Sequence, residues 1–139
     1  MKKTSLLLSS FVVLLLATFT VTSCKKDKSS SASPTPVGKE VKYEITGNYG
    51  GAFTVAYADK DGSYETIEVT SLPWTLSLTG ESGMVAAGFG VGAVTEKPGV
   101  KGQTAEAKIY INGKVERTSN GTANEDGYII TMNPGTYSF

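Results

Sequence analysis

The sequence contains no histidine, and Cys24 is its only cysteine. Without histidine, catalytic sites of the Ser-His-Asp and Cys-His types are excluded, and so are the usual zinc ligand sets. With a single cysteine, no disulfide can form within the chain, so its stability has to come from an ordinary hydrophobic core. The composition therefore predicts a protein that is not an enzyme and that uses no cofactor.

The chain also lacks a cluster of charges of one sign. Its 13 basic and 13 acidic residues are scattered along the whole length. Nucleic acids and anionic lipid headgroups are bound by clustered lysine and arginine side chains. Neither is therefore an expected partner of this protein.

The N-terminal segment has the pattern of a bacterial lipoprotein signal. Lys2 and Lys3 precede an apolar run from Leu6 to Leu16, and the sequence Val21-Thr22-Ser23 leads to Cys24. In such a signal the apolar run enters the membrane, the chain is cleaved before the cysteine, and the thiol takes up a diacylglycerol. The pattern predicts a lipid-anchored protein. Two alternatives stay open: a chance cysteine beside an ordinary signal peptide, and an uncleaved apolar anchor.

This interpretation divides the chain into three parts. Residues 1–23 form the signal peptide, residues 24–38 form the lipidated cysteine and a Ser/Pro-rich tether, and residues 39–139 form one folded domain. Lys25, rather than aspartate, follows the cysteine, which favours the outer membrane as the location of the lipoprotein, in an organism that has one. Palmitate-type acylation is expected on Cys24. Whether the domain faces the periplasm or the cell surface stays open. The membrane is the first expected partner, through the N-terminal lipid.

The folded domain shows period-two alternation of apolar and polar residues, which is typical of β-strands. Clear examples are the apolar rows Val41/Tyr43/Ile45, Phe53/Val55/Tyr57 and Ala107/Ile109/Ile111. Turn sequences at Asp59–Gly62 and Asn112-Gly113 predict hairpins, and 128–132 and 136–139 are expected to supply the last strands. The pattern predicts an all-β, immunoglobulin-like antiparallel β-sandwich, with Trp74 as the candidate anchor of its core.

Three segments of the domain resemble the MmpS family: YEITG at 43–47, FTVAYADKDGSYETIEVTSLPW at 53–74 and KIYINGKV at 108–115. Members of that family are small periplasmic β-sandwich proteins that accompany large RND-type exporters of lipids and siderophores in mycobacteria. The resemblance spans most of residues 41–132 and implies the same fold and an accessory role beside a transporter. The family's familiar members are anchored by an N-terminal membrane helix, and residues 88–102 are more glycine-rich here.

Two sets of residues are candidates for a site. Gly88, Gly90 and Gly92 would share one face of a strand, which would allow close approach by an aromatic ring, a partner or an acyl chain; a bulged strand beside a loop is the alternative. Asp59 and Asp61 offer alternating oxygens to a calcium ion. The stretch is too short and lacks the later bidentate glutamate, so a solvated hairpin tip is the preferred interpretation.

The expected function is binding in the cell envelope. We expect a lipid-anchored accessory protein of an RND-type transporter or of another envelope assembly, which makes contact through exposed strand edges or the glycine face. The alternative is an independent surface lipoprotein that binds a glycan or a host protein. A hydrolase that uses two carboxylates would require them to face each other across a cleft, and the sequence singles out no such pair.

Overall fold

The structure is a computed structural model that describes residues 38–139. The predicted signal peptide, Cys24 and the tether up to residue 37 lie outside the described residues. Residues 38–139 form eight strands: β1 (Lys39–Gly47), β2 (Phe53–Ala58), β3 (Tyr64–Val69), β4 (Trp74–Gly80), β5 (Ala86–Ala93), β6 (Thr104–Ile111), β7 (Lys114–Thr122) and β8 (Thr131–Ser138). No helix occurs within residues 38–139.

The strands form two four-stranded sheets that pack face to face. The first sheet has the order β4-β1-β6-β7 and the second has the order β3-β2-β5-β8. All neighbouring strands are antiparallel. The predicted all-β sandwich fold is confirmed. Its edges are β4 and β7 in the first sheet and β3 and β8 in the second.

The core lies between the two inner faces and follows the predicted alternation. In β1, the side chains of Val41, Tyr43 and Ile45 are buried because successive residues of a strand point to opposite faces. Tyr43 lies at the centre, 5.1 Å from Phe89 between ring centroids. Its hydroxyl donates a hydrogen bond of 2.8 Å to the carbonyl oxygen of Ala58, and burial raises the pKa of this phenol.

The predicted hairpin turns are both confirmed. Asn112 and Gly113 connect β6 to β7 with φ angles of 49° and 80°, which is the left-handed pair that a type I′ turn requires. At the β2–β3 turn, the amide of Asp59 donates to the carbonyl oxygen of Ser63, and that of Gly62 donates to the carbonyl oxygen of Asp59. Local turn sequence therefore determines which of these strands are neighbours.

Two predictions about the core and the strands are wrong. Trp74 is only half-buried because β4 is an edge strand, and the centre of the core is occupied by Tyr43 and Phe89 instead. Residues 128–132 and 136–139 do not form two separate strands. The last strand is continuous from Thr131 to Ser138, because an extra residue is accommodated within it as a β-bulge.

Candidate functional site

The outer face of the second sheet carries a groove of about 480 Å³ that crosses β2, β5 and β8. The residues that line it are mostly small or carry a hydroxyl or amide group: Thr54, Ala56, Tyr64, Phe89, Gly90, Val91, Gly92, Thr131, Asn133, Gly135 and Thr136. Small residues on the middle strands leave room above the backbone, and the longer side chains stand at the sides. We call this surface the glycine groove.

The floor of the glycine groove is formed by β5. Ala87, Phe89 and Val91 of this strand are buried in the core, so the intervening Gly88, Gly90 and Gly92 lie on the outer face. A Cβ atom at position 90 would meet no atom within 4 Å, and one at position 92 would lie 3.8 Å from the carbonyl oxygen of Ile130. The floor is therefore open at Gly90 and Gly92.

Gly88 differs because it is already covered by a side chain of the same chain. A Cβ atom at position 88 would collide with the hydroxyl group and ring of Tyr64, which begins β3. The aromatic ring that could approach a side-chain-free strand is thus supplied by the domain itself. Tyr64 remains 65% exposed, so it closes one end of the glycine groove and presents its other ring face to solvent.

The opposite side of the groove is formed by the bulge in β8. Phe89 pairs with Gly135 and Val91 pairs with Met132, so two residues of β8 stand opposite one residue of β5. Gly135 has a φ angle of 85°, and its amide donates to the side-chain oxygen of Asn133 at 2.9 Å. The bulge belongs to β8 and not to the glycine-rich strand. It turns polar groups of β8 toward the groove.

The two aspartates proposed as calcium ligands lie at the β2–β3 hairpin, away from the groove. The Asp61 carboxylate accepts hydrogen bonds from the hydroxyl group and the amide of Ser63, at 2.6 and 2.8 Å. These bonds hold the pKa of Asp61 below its ordinary value. Between residues 38 and 139, no group of three or more metal-ligating side chains comes together. The geometry is that of a hairpin tip with an Asx turn.

The outer face of the first sheet carries a charged network. The hydroxyl group of Tyr110 donates to a carboxylate oxygen of Glu44 at 2.6 Å, and the ammonium group of Lys42 lies 2.9 Å from the other oxygen. The same ammonium group lies 3.8 Å from the centroid of the Tyr110 ring. The hydrogen bonds from Tyr110 and Lys42 lower the pKa of Glu44. The hydrogen bond to Glu44 raises the pKa of the Tyr110 phenol.

The Tyr110→Phe variant is expected to raise the pKa of Glu44 toward its ordinary value of about 4.5. Because the folded-state pKa of Glu44 is lowered, its contribution to stability is present above the unfolded-state pKa and is lost as the pH falls through the folded-state value. The variant should therefore be less stable at neutral pH, by up to about 1 kcal/mol, and this difference should shrink in acid.

Carboxyl NMR titration and urea unfolding at several pH values would measure both effects. Tyr128→Phe is the matched control, since the Tyr128 hydroxyl donates to the carbonyl oxygen of Thr95 and not to a carboxylate. The prediction would be contradicted by an unchanged pKa of Glu44 in Tyr110→Phe.

The comparison with known protein families decides the family of the chain. The family model described as Mycobacterium membrane protein, the MmpS family, matches residues 1–128. The chain belongs to the MmpS family. No curated protein matches the chain. The resemblance that three short segments indicated is confirmed over most of the chain.

Membership of the MmpS family has consequences for the site. The family is described as one of mycobacterial membrane proteins, which places this protein in the cell envelope. The MmpS match includes β5, which forms the groove floor, but ends before Thr131, where β8 begins. One side of the groove is therefore built by residues beyond the matched interval. Within residues 38–139, no helix is long and apolar enough to cross a membrane.

Sequence reasoning found the glycines of the MmpS domain but missed the residues around them. Tyr64 and the hydroxyl-bearing residues of β2 and β8 become neighbours of β5 only through the order of strands in the sheet. One signal was available in the sequence. Thr54 and Ala56 are small residues that alternate with larger apolar residues in β2, as Gly90 and Gly92 do in β5. Where two such strands lie side by side, their small residues share one face and leave a groove.

Proposed function

We propose that the protein is a membrane-anchored, non-enzymatic accessory protein of the cell envelope that binds a membrane assembly. An RND-type transporter is the first candidate for that assembly. The observation that carries the proposal is the family match, which covers both the N-terminal segment and the domain up to residue 128. The alternative partner classes are another envelope protein, a glycan or a host protein.

The proposed attachment to the membrane is the lipid on Cys24. A tether over residues 24–38 spans at most about 50 Å when fully extended and about 20 Å on average as a flexible chain. The domain would then remain within a few nanometres of the membrane surface. Confinement of this kind raises the effective concentration of the domain near membrane proteins, so a contact of modest affinity is sufficient for function.

The glycine groove is the proposed contact surface. Its floor at Gly90 lacks side chains, so a partner could approach the backbone of β5 closely, while hydroxyl groups of Thr54, Thr131 and Thr136 at the sides offer hydrogen bonds. The groove brings together no titratable pair that could act as an acid and a base. Its chemistry is that of recognition.

The Gly90→Phe variant tests this assignment. Because a Cβ atom at position 90 meets nothing within 4 Å and aromatic residues suit strands, the domain should fold normally. The phenyl ring would fill the groove, and recovery of the partner should fall about tenfold or more. The measurement is a pull-down of the full chain from detergent-solubilised envelope, with co-purified proteins identified by mass spectrometry.

The matched control is Thr118→Phe, which adds the same ring to an exposed position on β7 of the first sheet. It should leave partner recovery unchanged. Equal losses in both variants would contradict the groove as the contact surface. Failure to recover any transporter component with the unaltered chain would contradict the accessory role. Digestion of the domain by protease on intact cells would then support the surface-protein alternative.

A further inference from the structure

The two sides of the sandwich are closed to different degrees. On one side, edge strands β7 and β8 contact each other. The amide of Asn133 donates to the hydroxyl group of Ser119 at 3.1 Å, and the side chain of Arg117 donates to the carbonyl oxygen of Thr136 at 3.3 Å. The bulge and Pro134 further interrupt the edge of β8. This side is unsuited to pairing with another strand.

The other side, between β3 and β4, has incompletely buried apolar residues. Most of the partly buried hydrophobic residues that pack against the core lie here: Tyr57, Ile67, Leu72, Trp74, Leu76 and Leu78. Trp74, Leu76 and Leu78 point inward from β4 and are only partly buried, whereas their neighbours on β1 are fully buried. The apolar row of β4 therefore ends at the edge of the sheet without a covering strand among the described residues.

The two edge strands on this side differ in charge. In β3, Glu65 and Glu68 are exposed, and Glu68 forms an ion pair with Lys97. Charged residues of this kind prevent an edge from pairing with another strand. In contrast, β4 has the sequence WTLSLTG, without a charge, a proline or a bulge, and its only strand partner within residues 38–139 is β1.

We propose that β4 pairs antiparallel with β4 of a second copy of this chain. Antiparallel pairing about a two-fold axis at the middle of a strand places residues that are equally far from the axis opposite each other. Such pairing is unfavourable where these residues carry like charges. The strand β4 has no charge, whereas pairing of β3 with its own copy would place Glu65 opposite Glu68. The two first sheets would join into one sheet of eight strands, and the partly buried Trp74, Leu76 and Leu78 of each copy would cover those of the other.

This proposal is independent of the glycine groove, which lies on the other sheet and faces away from the core. Failure of the proposed dimer would therefore not contradict the proposed transporter role, and failure of that role would not contradict the dimer. A dimer of this form leaves both grooves accessible. It also provides two membrane attachments for one assembly, if each copy carries an anchor.

The test compares Ser77→Lys with Thr66→Lys in the full chain purified in detergent. Both positions are exposed residues of edge strands, on β4 and β3. Multi-angle light scattering over a range of concentrations should give a dimer mass for the unaltered chain and for Thr66→Lys. In Ser77→Lys, like charges would meet across the axis, and self-association should weaken about tenfold or more.

Hydrogen exchange supplies a second readout that does not depend on a variant. In the unaltered chain, amide protection in β4 should increase with protein concentration, while that in β3 should not change. A monomer mass at every concentration would overturn the proposal. The β4 edge would then be available for pairing with a strand of a different protein. Equal weakening by the two lysine variants would also overturn it, because the interface would then not be specific to β4.

Discussion

The Cys24→Ser variant is expected to lose acylation completely and to keep residues 1–23. Only the cysteine thiol is reactive enough to accept the diacylglycerol, and the chain contains no second cysteine. The loss of acylation should be all-or-none, since the sequence offers the lipid no other thiol. Metabolic labelling with an alkyne-bearing palmitate and the intact mass of the purified chain would measure it.

A double variant, Cys24→Ser with Ser30→Cys, is the matched control. It restores one thiol at a position in the tether that does not follow the apolar run, so it should remain unlabelled. Acylation of Cys24→Ser would contradict the predicted lipidation site. An unaltered chain that is unlabelled and still carries residues 1–23 would show instead that the apolar segment is an uncleaved anchor.

The Phe89→Ala variant is expected to destabilise the domain by about 3–5 kcal/mol, a large fraction of the 5–15 kcal/mol typical of a domain. Phe89 is 3% exposed and lies between two other rings, 5.1 Å from the centroid of Tyr43 and 6.1 Å from that of Trp74. Its removal leaves a cavity where both sheets meet, and the rigid neighbouring rings cannot fill it. Urea unfolding followed by circular dichroism would measure the loss.

Phe139→Ala is the matched control because it removes the same ring from a position that is 41% exposed. The hydrogen bond that the amide of residue 139 donates to the carbonyl oxygen of Val85 is kept. The expected loss of stability is therefore about 1 kcal/mol or less. The fluorescence of Trp74, the only tryptophan, should shift to the red in Phe89→Ala alone. Similar destabilisation by the two variants would contradict the central position of Phe89 in the core.

The faces of the strands could be predicted from the sequence, but the neighbours of each strand could not. Alternation identified Tyr43 and Ile109 as inward-facing, because side-chain direction in a strand depends only on residue parity. The same alternation in β4 predicted a central Trp74. Parity gives the direction of a side chain and not the position of its strand in the sheet, so the half-exposure of an edge residue could not be inferred.

The candidate site shows the same division between local and non-local information. The three glycines on one face of β5 followed from their spacing of two residues. The cover that Tyr64 provides for Gly88 depends on β2 lying between β3 and β5, a contact between strands that the sequence does not encode locally. Pairing at the two hairpins was predictable since the turns determine it, whereas the insertion of β5 between β2 and β8 depends on the packing of the whole domain.

The position of β1 determines how the domain would respond to mechanical force. A chain that is held at the membrane through the residues before Gly38 transmits any pull directly to the first strand. This strand lies inside its sheet, with seven residue pairs to β4 and seven to β6. Hydrogen bonds in an antiparallel pair are perpendicular to the strands, so a pull along β1 loads them together in shear. The first strand of the domain would therefore resist a pull from an N-terminal anchor.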